Sequence, residues 1–370
     1  MKIERIETLP LNAKIENPFR IATTLFDQVR ALIVRVITDD GIIGIGESVV
    51  RSAPKATKYI VEEMLAPLIV GKDPLDAAAL WWEMFSAMRT RGHTKGHFVE
   101  AISGVDVAIW DVIGKAMGLP VYKALNGFGR QSLDAYGSSV FCDEDTDKMV
   151  ASAQSFLDRG YNAMKIKLGM GIRKDASTME AIRRAVGEDV LLMVDVNSKY
   201  DAASAVRLGR MLEPYNLEWI EEPVPPYDLK GYARVKQGQS VPVAGGEGEF
   251  SLFGFRDFLA TGGVDVVQPD LGRVGGFTEG MRIAALIQSE NLSLAPHTGM
   301  FSALNVVVAM HFSAAAPNFK IFEFMEINHP LMDIFTEPMP RPINGKLHLP
   351  KAPGLGVELD MDKIKPFIEK

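Results

Sequence analysis

Residues 191–247 read LLMVDVNSKYDAASAVRLGRMLEPYNLEWIEEPVPPYDLKGYARVKQGQSVPVAGGE. Three short apolar runs in this stretch each end in one acidic side chain. Asp195 closes the first, Glu221 the second and Glu247 the third, with 26 residues from each to the next. One strand, one helix and two loops take roughly 25–31 residues in an α/β barrel. The same beat continues outward. Lys165 and Lys167 sit in NAMKIKLG, Asp270 ends VDVVQPD, His297 ends LSLAPH and Glu323 lies in KIFEF. Each strand therefore delivers a polar group at its carboxyl end, where the strands of a parallel barrel share one mouth.

Strands are predicted near 132–138, 161–167, 190–195, 217–221, 242–246, 264–269, 292–296 and 319–324, with amphipathic runs such as ASTMEAIRRAV and TEGMRIAALIQS between them. Eight strands alternating with helices predict an α/β fold with a parallel barrel. Residues 1–50 instead alternate like antiparallel strands, with a hairpin signal at Asp39-Asp40-Gly41. Helical patterns follow at about 55–69, 75–90 and 98–117, the last stopped by Gly118 and Pro120. The expected organisation is an α+β unit over 1–127, a barrel over 128–340 and a tail over 341–370 that returns to the first unit. The apolar run Met300–Ala316 carries Asn305 and His311 and reads as a buried barrel helix. Trp81, Trp82 and Trp110 read as core.

With 370 residues and 47% hydrophobic side chains, the chain can build a large core. Its net charge of −7 offers no footprint for nucleic acid, and a small anion would need a local cation. Cys142 is the single cysteine, which excludes a disulfide framework and a thiolate metal site. A reducing cytoplasm is expected, with no membrane association, since MKIERIETLP reads as a strand rather than an apolar leader. Gly169-Met170-Gly171 lacks the third glycine of a dinucleotide fingerprint.

Lys165 and Lys167 are two apart on a strand and point to one face. Their repulsion is expected to lower the pKa of at least one and prepare it as a base. Asp195, Glu221 and Glu247 form an all-carboxylate set, which favours Mg²⁺ over zinc. Asn197 and Glu222 are candidate partners that orient those ligands. Asp270 and His297 end adjacent strands, and an Asp bonded to imidazole fixes its tautomer for acid/base work. Glu323 could hydrogen-bond a substrate carboxylate if it carries a proton.

The motifs K-x-K, D-x-N, E-E-P and G-G-E, followed by Asp, His and Glu on strands six, seven and eight, resemble the enolase superfamily. The resemblance is to its mandelate racemase-like subgroup, the mandelate racemase/muconate lactonizing enzyme family. It spans nearly the whole chain and implies a modified TIM barrel, (β/α)7β, with an α+β capping domain completed by the C-terminal tail. It implies Lys167 as base with Lys165 as its modulator, Mg²⁺ on Asp195, Glu221 and Glu247, and Asp270–His297 as the second acid/base unit. It places Glu323 at the carboxylate end of the intermediate. Specificity would come from the cap loop Asn17–Phe26, with Phe19 and Phe26, and from the loop around Arg51. A small carboxylate substrate and a homo-oligomer are further implications.

WIEEPVPP, YARVKQGQSVPVAGGE and QPDLGRVGGFTE are similar to the branch acting on sugar acids and lactones. The runs GEFSLFG and HTGMFSA, with Phe19 and Phe26, are more apolar than that branch implies and would suit a less hydroxylated substrate. The expected reaction removes the proton alpha to a carboxylate through an enediolate. A positioned base contributes about 3–5 kcal/mol, against the ~8–23 kcal/mol that enzymes typically remove from a barrier, so most must come from electrostatic stabilisation and positioning. Dehydration of a sugar acid is favoured on branch similarity. Racemisation or epimerisation and lactone cycloisomerisation stay open, as does a non-catalytic binding relative. A nucleotide-dependent barrel enzyme is disfavoured by the missing phosphate loop.

Overall fold

A computed structural model describes residues 1–299 and 301–369. The chain opens with three antiparallel strands, β1 (Ile3–Arg20), β2 (Leu25–Thr38) and β3 (Ile43–Ser48), in the order β1-β2-β3. The segment from Asn17 to Phe26 is not a loop. β1 and β2 extend into a hairpin tip in which Phe19 pairs with Phe26 and only the turn at 21–24 is irregular. The first helical pattern passes from α-helix (Pro54–Tyr59) through π-helix (Ile60–Leu65) back to α-helix (Ala66–Ile69).

The His97–Met117 helix packs across the three-stranded sheet and ends at Gly118 with φ 66°. Glycine avoids the Cβ penalty of that left-handed cap. β3 lies so close to this helix that a Cβ at Gly46 would meet the Gly104 carbonyl oxygen at 2.1 Å. Trp81 is buried and Trp110 half-buried, but Trp82 is 43% exposed, because it follows Trp81 by one position and so faces off the apolar stripe.

The barrel strands are β4 (Ser132–Val140), β5 (Ala163–Lys167), β6 (Leu191–Asp195), β7 (Leu217–Glu221), β8 (Val243–Gly245), β9 (Val266–Val267), β10 (Ser293–Leu294) and β11 (Phe322–Phe324). All adjacent pairs from β11 through β4 to β10 are parallel. The circle closes through a parallel bridge between Leu294 and Phe319. β12 (Lys346–His348) returns antiparallel against β4. The tail also reaches the first sheet, where Leu11 bridges Ile368.

Alternation along the strands sorts the side chains. Met164, Ile166 and Leu168 join the core between strands and helices. Tyr136, Ala163, Met193, Trp219, Ala244, Val266, Ala295 and Ile321 form a separate apolar cluster, the layer inside the barrel. The next inward positions toward the carboxyl ends carry Ser138, Lys165, Asp195, Glu221 and Glu323. The Ala303–Ala315 helix is buried along its whole length, as its sequence predicts, while Met300 of that run lies outside the described residues. No helix among the described residues is long and apolar enough to cross a membrane.

His311 ties this helix to the rest of the chain. Its Nδ1 accepts from the Tyr122 amide at 3.2 Å and its Nε2 donates to the Leu355 carbonyl at 3.0 Å. Burial pushes its pKa down to about 4, against an ordinary value of 6.5. Between about pH 6.5 and 4 the unfolded chain therefore binds a proton at this position that the folded chain does not. Stability from His311 is full above that window and declines as pH falls through it, by up to roughly 3 kcal/mol. Urea unfolding at pH 7 and pH 4.5 should show a smaller loss on acidification in His311→Gln than in wild type. Equal losses would contradict the buried neutral imidazole. Independently, Gly46→Val should lower stability by about 1–3 kcal/mol or more through forced strand–helix separation, read as a lower urea midpoint.

Candidate active site

Register builds the site. Lys167 pairs with Asp195 across β5–β6, Asp195 with Glu221 across β6–β7, and Glu221 with Ala244 across β7–β8. Glu323 on β11 sits opposite Tyr136 on β4. One ligand atom each from Asp195, Glu221 and Glu247 lie within 4.8 Å of one another. Asp195 and Glu221 are buried and Glu247 is half-buried. All candidate donors are hard oxygens, the chemistry that suits Mg²⁺.

Both lysines are buried rather than exposed at a strand end. Lys165 Nζ pairs with Glu221 and lies 2.7 Å from Glu323 Oε1, with Asp195 at 4.0 Å. Lys167 Nζ hydrogen-bonds Asp195 Oδ2. The expected lowering of a lysine pKa is therefore overturned. Burial lowers both, and repulsion from Lys165 lowers Lys167 further. Attraction to Glu221 and then Glu323 outweighs this for Lys165, as attraction to Asp195 does for Lys167, so both are held above the ordinary lysine value. Asp195 is held below its ordinary value, because Lys167 and Lys165 outweigh burial.

For Glu323, whose expected contact depended on its carrying a proton, the neighbouring cations favour the ionised form. Burial raises its pKa, but Lys165 and then His297 outweigh burial and bring it to about 2. It accepts from Ser138 Oγ and, at 2.9 Å, from the Thr298 amide. An ionised Glu323 cannot donate to a substrate carboxylate. Its role in the structure is to hold Lys165, Ser138 and Thr298 together.

His297 Nδ1 lies 2.8 Å from Asp270 Oδ2, and Nε2 lies 3.3 Å from Glu247 Oε2. Burial disfavours the imidazolium, but Glu247 and the Asp270 hydrogen bond raise the pKa above the ordinary histidine value. The carboxylate group is thus flanked on the Asp195 side by Lys167 and on the Glu247 side by His297.

Asn197 donates its backbone and side-chain N–H groups to Asp195 at 2.7 and 2.9 Å. Glu222 accepts from Ser198 Oγ at 3.2 Å, and burial beside Glu247 and Asp195 raises its carboxyl well above the usual range. Both residues adopt positive φ, +43° and +42°, just past their strand ends. Such conformations cost about 1–3 kcal/mol each and persist where the surroundings hold them.

Sequence reasoning missed several groups here. Trp219 Nε1 and Gln268 Nε2 both donate to Glu221 Oε2, at 3.0 and 2.7 Å. Tyr136 places its ring 5.6 Å from Lys165 Nζ. Ser138 bonds Glu323. Trp219 and Tyr136 look like core residues in sequence. The recoverable signal was their period-two spacing from Glu221 and Ser138, which sets them on the inward face.

A cavity of about 540 Å³ opens beside the carboxylates, lined among others by Thr24, Phe26, Arg51, Asn197, Glu222 and Glu247. Phe26 and Arg51 therefore reach the site. Phe19 stacks between Phe26 and Phe141, with ring centroids 5.3 and 4.0 Å away, and lines an adjoining cavity of about 580 Å³ that shares Leu25 with the first. No described residue of the two apolar runs lines this cavity, and Met300 of the second lies outside the described residues. Ser251–Leu259 of GEFSLFG and beyond is a helix whose Phe253 is 40% exposed, and Phe301 of HTGMFSA is buried under the Arg51 guanidinium, 5.3 Å from it.

Two family models match the chain. One described as the mandelate racemase / muconate lactonizing enzyme N-terminal domain covers residues 5–126. One described as enolase C-terminal domain-like covers residues 148–363. D-galactarolactone cycloisomerase of Agrobacterium fabrum is 34% identical over 99% of each chain. D-galactonate dehydratase of Xanthomonas oryzae pv. oryzae is 32% identical over 93% of this chain and 92% of its own. The crystal structure of a racemase from Streptomyces coelicolor with bound magnesium superposes with a TM-score of 0.92 at 28% identity, covering 99% of this chain and all of the other. With its antiparallel cap, closed parallel barrel and strand-end carboxylates, the chain belongs to the mandelate racemase / muconate lactonizing enzyme family of the enolase superfamily.

Proposed function

We propose that this protein is a Mg²⁺-dependent dehydratase of a sugar acid. The observation that carries the reading is the arrangement of Asp195, Glu221 and Glu247 around one point, with Lys167 against Asp195 and His297 against Glu247. Asp195, Glu221 and Glu247 would hold the ion, and Asn197, Trp219 and Gln268 would keep two of these carboxylates in place. Bound Mg²⁺ supplies electrostatic stabilisation of negative charge on the substrate carboxylate.

Lys167 takes the proton from the α-carbon, once its own proton is lost. Burial and Lys165 beside it favour that loss, against the pull of Asp195, which a cation held by Asp195 would weaken. His297 Nε2 gives a proton to the departing β-hydroxyl, while Asp270 fixes Nδ1–H and supports the imidazolium. The Cα–H electron pair first passes into the substrate carboxylate as an enediolate, then returns to form the Cα–Cβ double bond as the Cβ–O bond breaks. Water leaves and the enol of a 2-keto acid remains. Arg51 supplies the local cation that an anionic substrate needs in a chain of net charge −7. The unpartnered, buried Asn197 Oδ1 and the polar side chains Thr24, Gln28 and Ser198 in the cavity wall support recognition of hydroxyl groups.

A second reading, cycloisomerisation of a lactone, is favoured by the relative from Agrobacterium fabrum. It shares the α-proton step and differs in that the departing oxygen stays within the molecule. Product mass separates the two, because dehydration loses one water and cycloisomerisation loses nothing. We propose the cytoplasm as the compartment and a homo-oligomer as the assembly, both by family likeness.

A library of sugar acids and lactones in D₂O with Mg²⁺ tests the reading. Turnover with solvent deuterium in the product is expected, and exhaustive EDTA treatment should abolish it and Mg²⁺ restore it. Turnover that survives EDTA would refute the metal role. Lys167→Ala should remove both exchange and turnover by at least about 10²–10⁴-fold. His297→Asn should lose turnover by a similar factor while α-exchange persists. Full activity in either variant would remove that residue from its role.

A further inference from the structure

The end of the cap strand β3 and the residue that follows it bond to segments flanking Asp270 and His297. Glu47, near its end, is 2% exposed and reaches across the cap–barrel seam. One of its oxygens accepts from the Ser302 amide at 3.0 Å. The other accepts from Ser302 Oγ and, at 3.2 Å, from the Asn305 amide. Ser302 Oγ accepts in turn from the Leu304 amide at 3.2 Å, as the N-cap of the Ala303–Ala315 helix. A carboxylate at that end also meets the positive pole of the helix.

Two residues further, the Val49 amide donates to the Gly272 carbonyl at 3.1 Å. Gly272 donates its own amide to Asp270 Oδ1 at 2.9 Å. A Cβ at Gly272 would stand 2.7 Å from Val49 Cγ2, so glycine is what lets β3 approach this turn. Asp270 Oδ2 then holds His297 Nδ1. The cap therefore holds the Asp270 turn through Val49, just past β3, and Ser302 and Asn305, at the start of the helix that follows His297, through Glu47. Glu323 also anchors the segment after His297 by taking the Thr298 amide. Lys167, by contrast, stands on β5 and is held by Asp195.

We infer that Glu47 is a positioning residue for the Asp270–His297 dyad, setting the imidazole from the cap while leaving the metal carboxylates and Lys167 untouched. The inference rests on the proposed reaction for its kinetic reading but not for its structural one. A seam contact that merely stabilised the fold would affect every function of the barrel mouth alike. A dyad clamp affects one side of it.

The test compares wild type, Glu47→Ala, Glu47→Gln and Ser302→Ala. Glu47→Ala should lower kcat of the His297-dependent step by about 10²-fold, the scale of a small misplacement of a reacting group. Lys167-dependent α-exchange in D₂O and Mg²⁺ affinity by calorimetry should stay at wild-type levels. Glu47→Gln, which keeps an acceptor, should recover most of the loss, and Ser302→Ala should lie between if Glu47→Ala fails to fold. Without any substrate, ¹⁵N-histidine spectra report the same geometry. The Nδ1–H resonance bonded to Asp270, assigned by His297→Asn, should shift or vanish in Glu47→Ala while the buried Nε2–H of His311 persists. An unchanged His297 resonance, or parallel losses of exchange, turnover and metal affinity, would overturn the inference. Wild type that lacks exchange on every acid would instead refute the proposed reaction and leave the spectral test standing.

Discussion

The mouth of the barrel is governed by charge that cannot be left alone. Lys165 and Lys167 are buried with Asp195, Glu221 and Glu323, and Glu247 stands at the rim. An isolated ion in such a place would cost several kcal/mol, so each group depends on its neighbours. Parallel strands in register bring those neighbours together, and the layer of Met193, Trp219 and Tyr136 beneath keeps them at the carboxyl ends. Four carboxyl groups converge on two ammonium groups, an excess of acid that matches a divalent cation in sign and size.

The same constraint explains why the barrel does not stand uncovered. β3 and the His97–Met117 helix close one side of the mouth, and the β1–β2 hairpin overhangs the cavity that reaches Glu247. The hairpin brings Phe26, and the chain past β3 brings Arg51, so the side chains that the cap adds to the cavity are separate in sequence from the ionisable groups at the strand ends. The tail completes the layer by bridging β1 and pairing β12 with β4.

Much of this was legible because the barrel repeats. A strand must end where its polar residue meets the mouth, so the spacing of Asp195, Glu221 and Glu247 located the strands, and each of the eight lies near its expected place. Pairing was less legible. Two lysines on one face suggested mutual repulsion, but the facing carboxylates belong to strands distant in sequence and reverse the shift. The charge state of Glu323 stayed open in sequence for the same reason, since Lys165 and Ser138 reach it only after closure of the circle. Trp82 looked apolar enough for the core, yet its place on the helix turns it outward. Phe19 and Phe26 looked equivalent, but neighbours on opposite strands of a hairpin need not meet one cavity, and they do not. Glu47 gave no signal at all, because its partners lie some 255 residues away.

Diffraction from crystals soaked in Mn²⁺, an anomalous scatterer that substitutes for Mg²⁺, addresses the central claim directly. One strong anomalous peak is expected within about 2.0–2.3 Å of a single oxygen each from Asp195, Glu221 and Glu247. A peak elsewhere, or none at saturating Mn²⁺ with the three carboxylates still in their places, would contradict it.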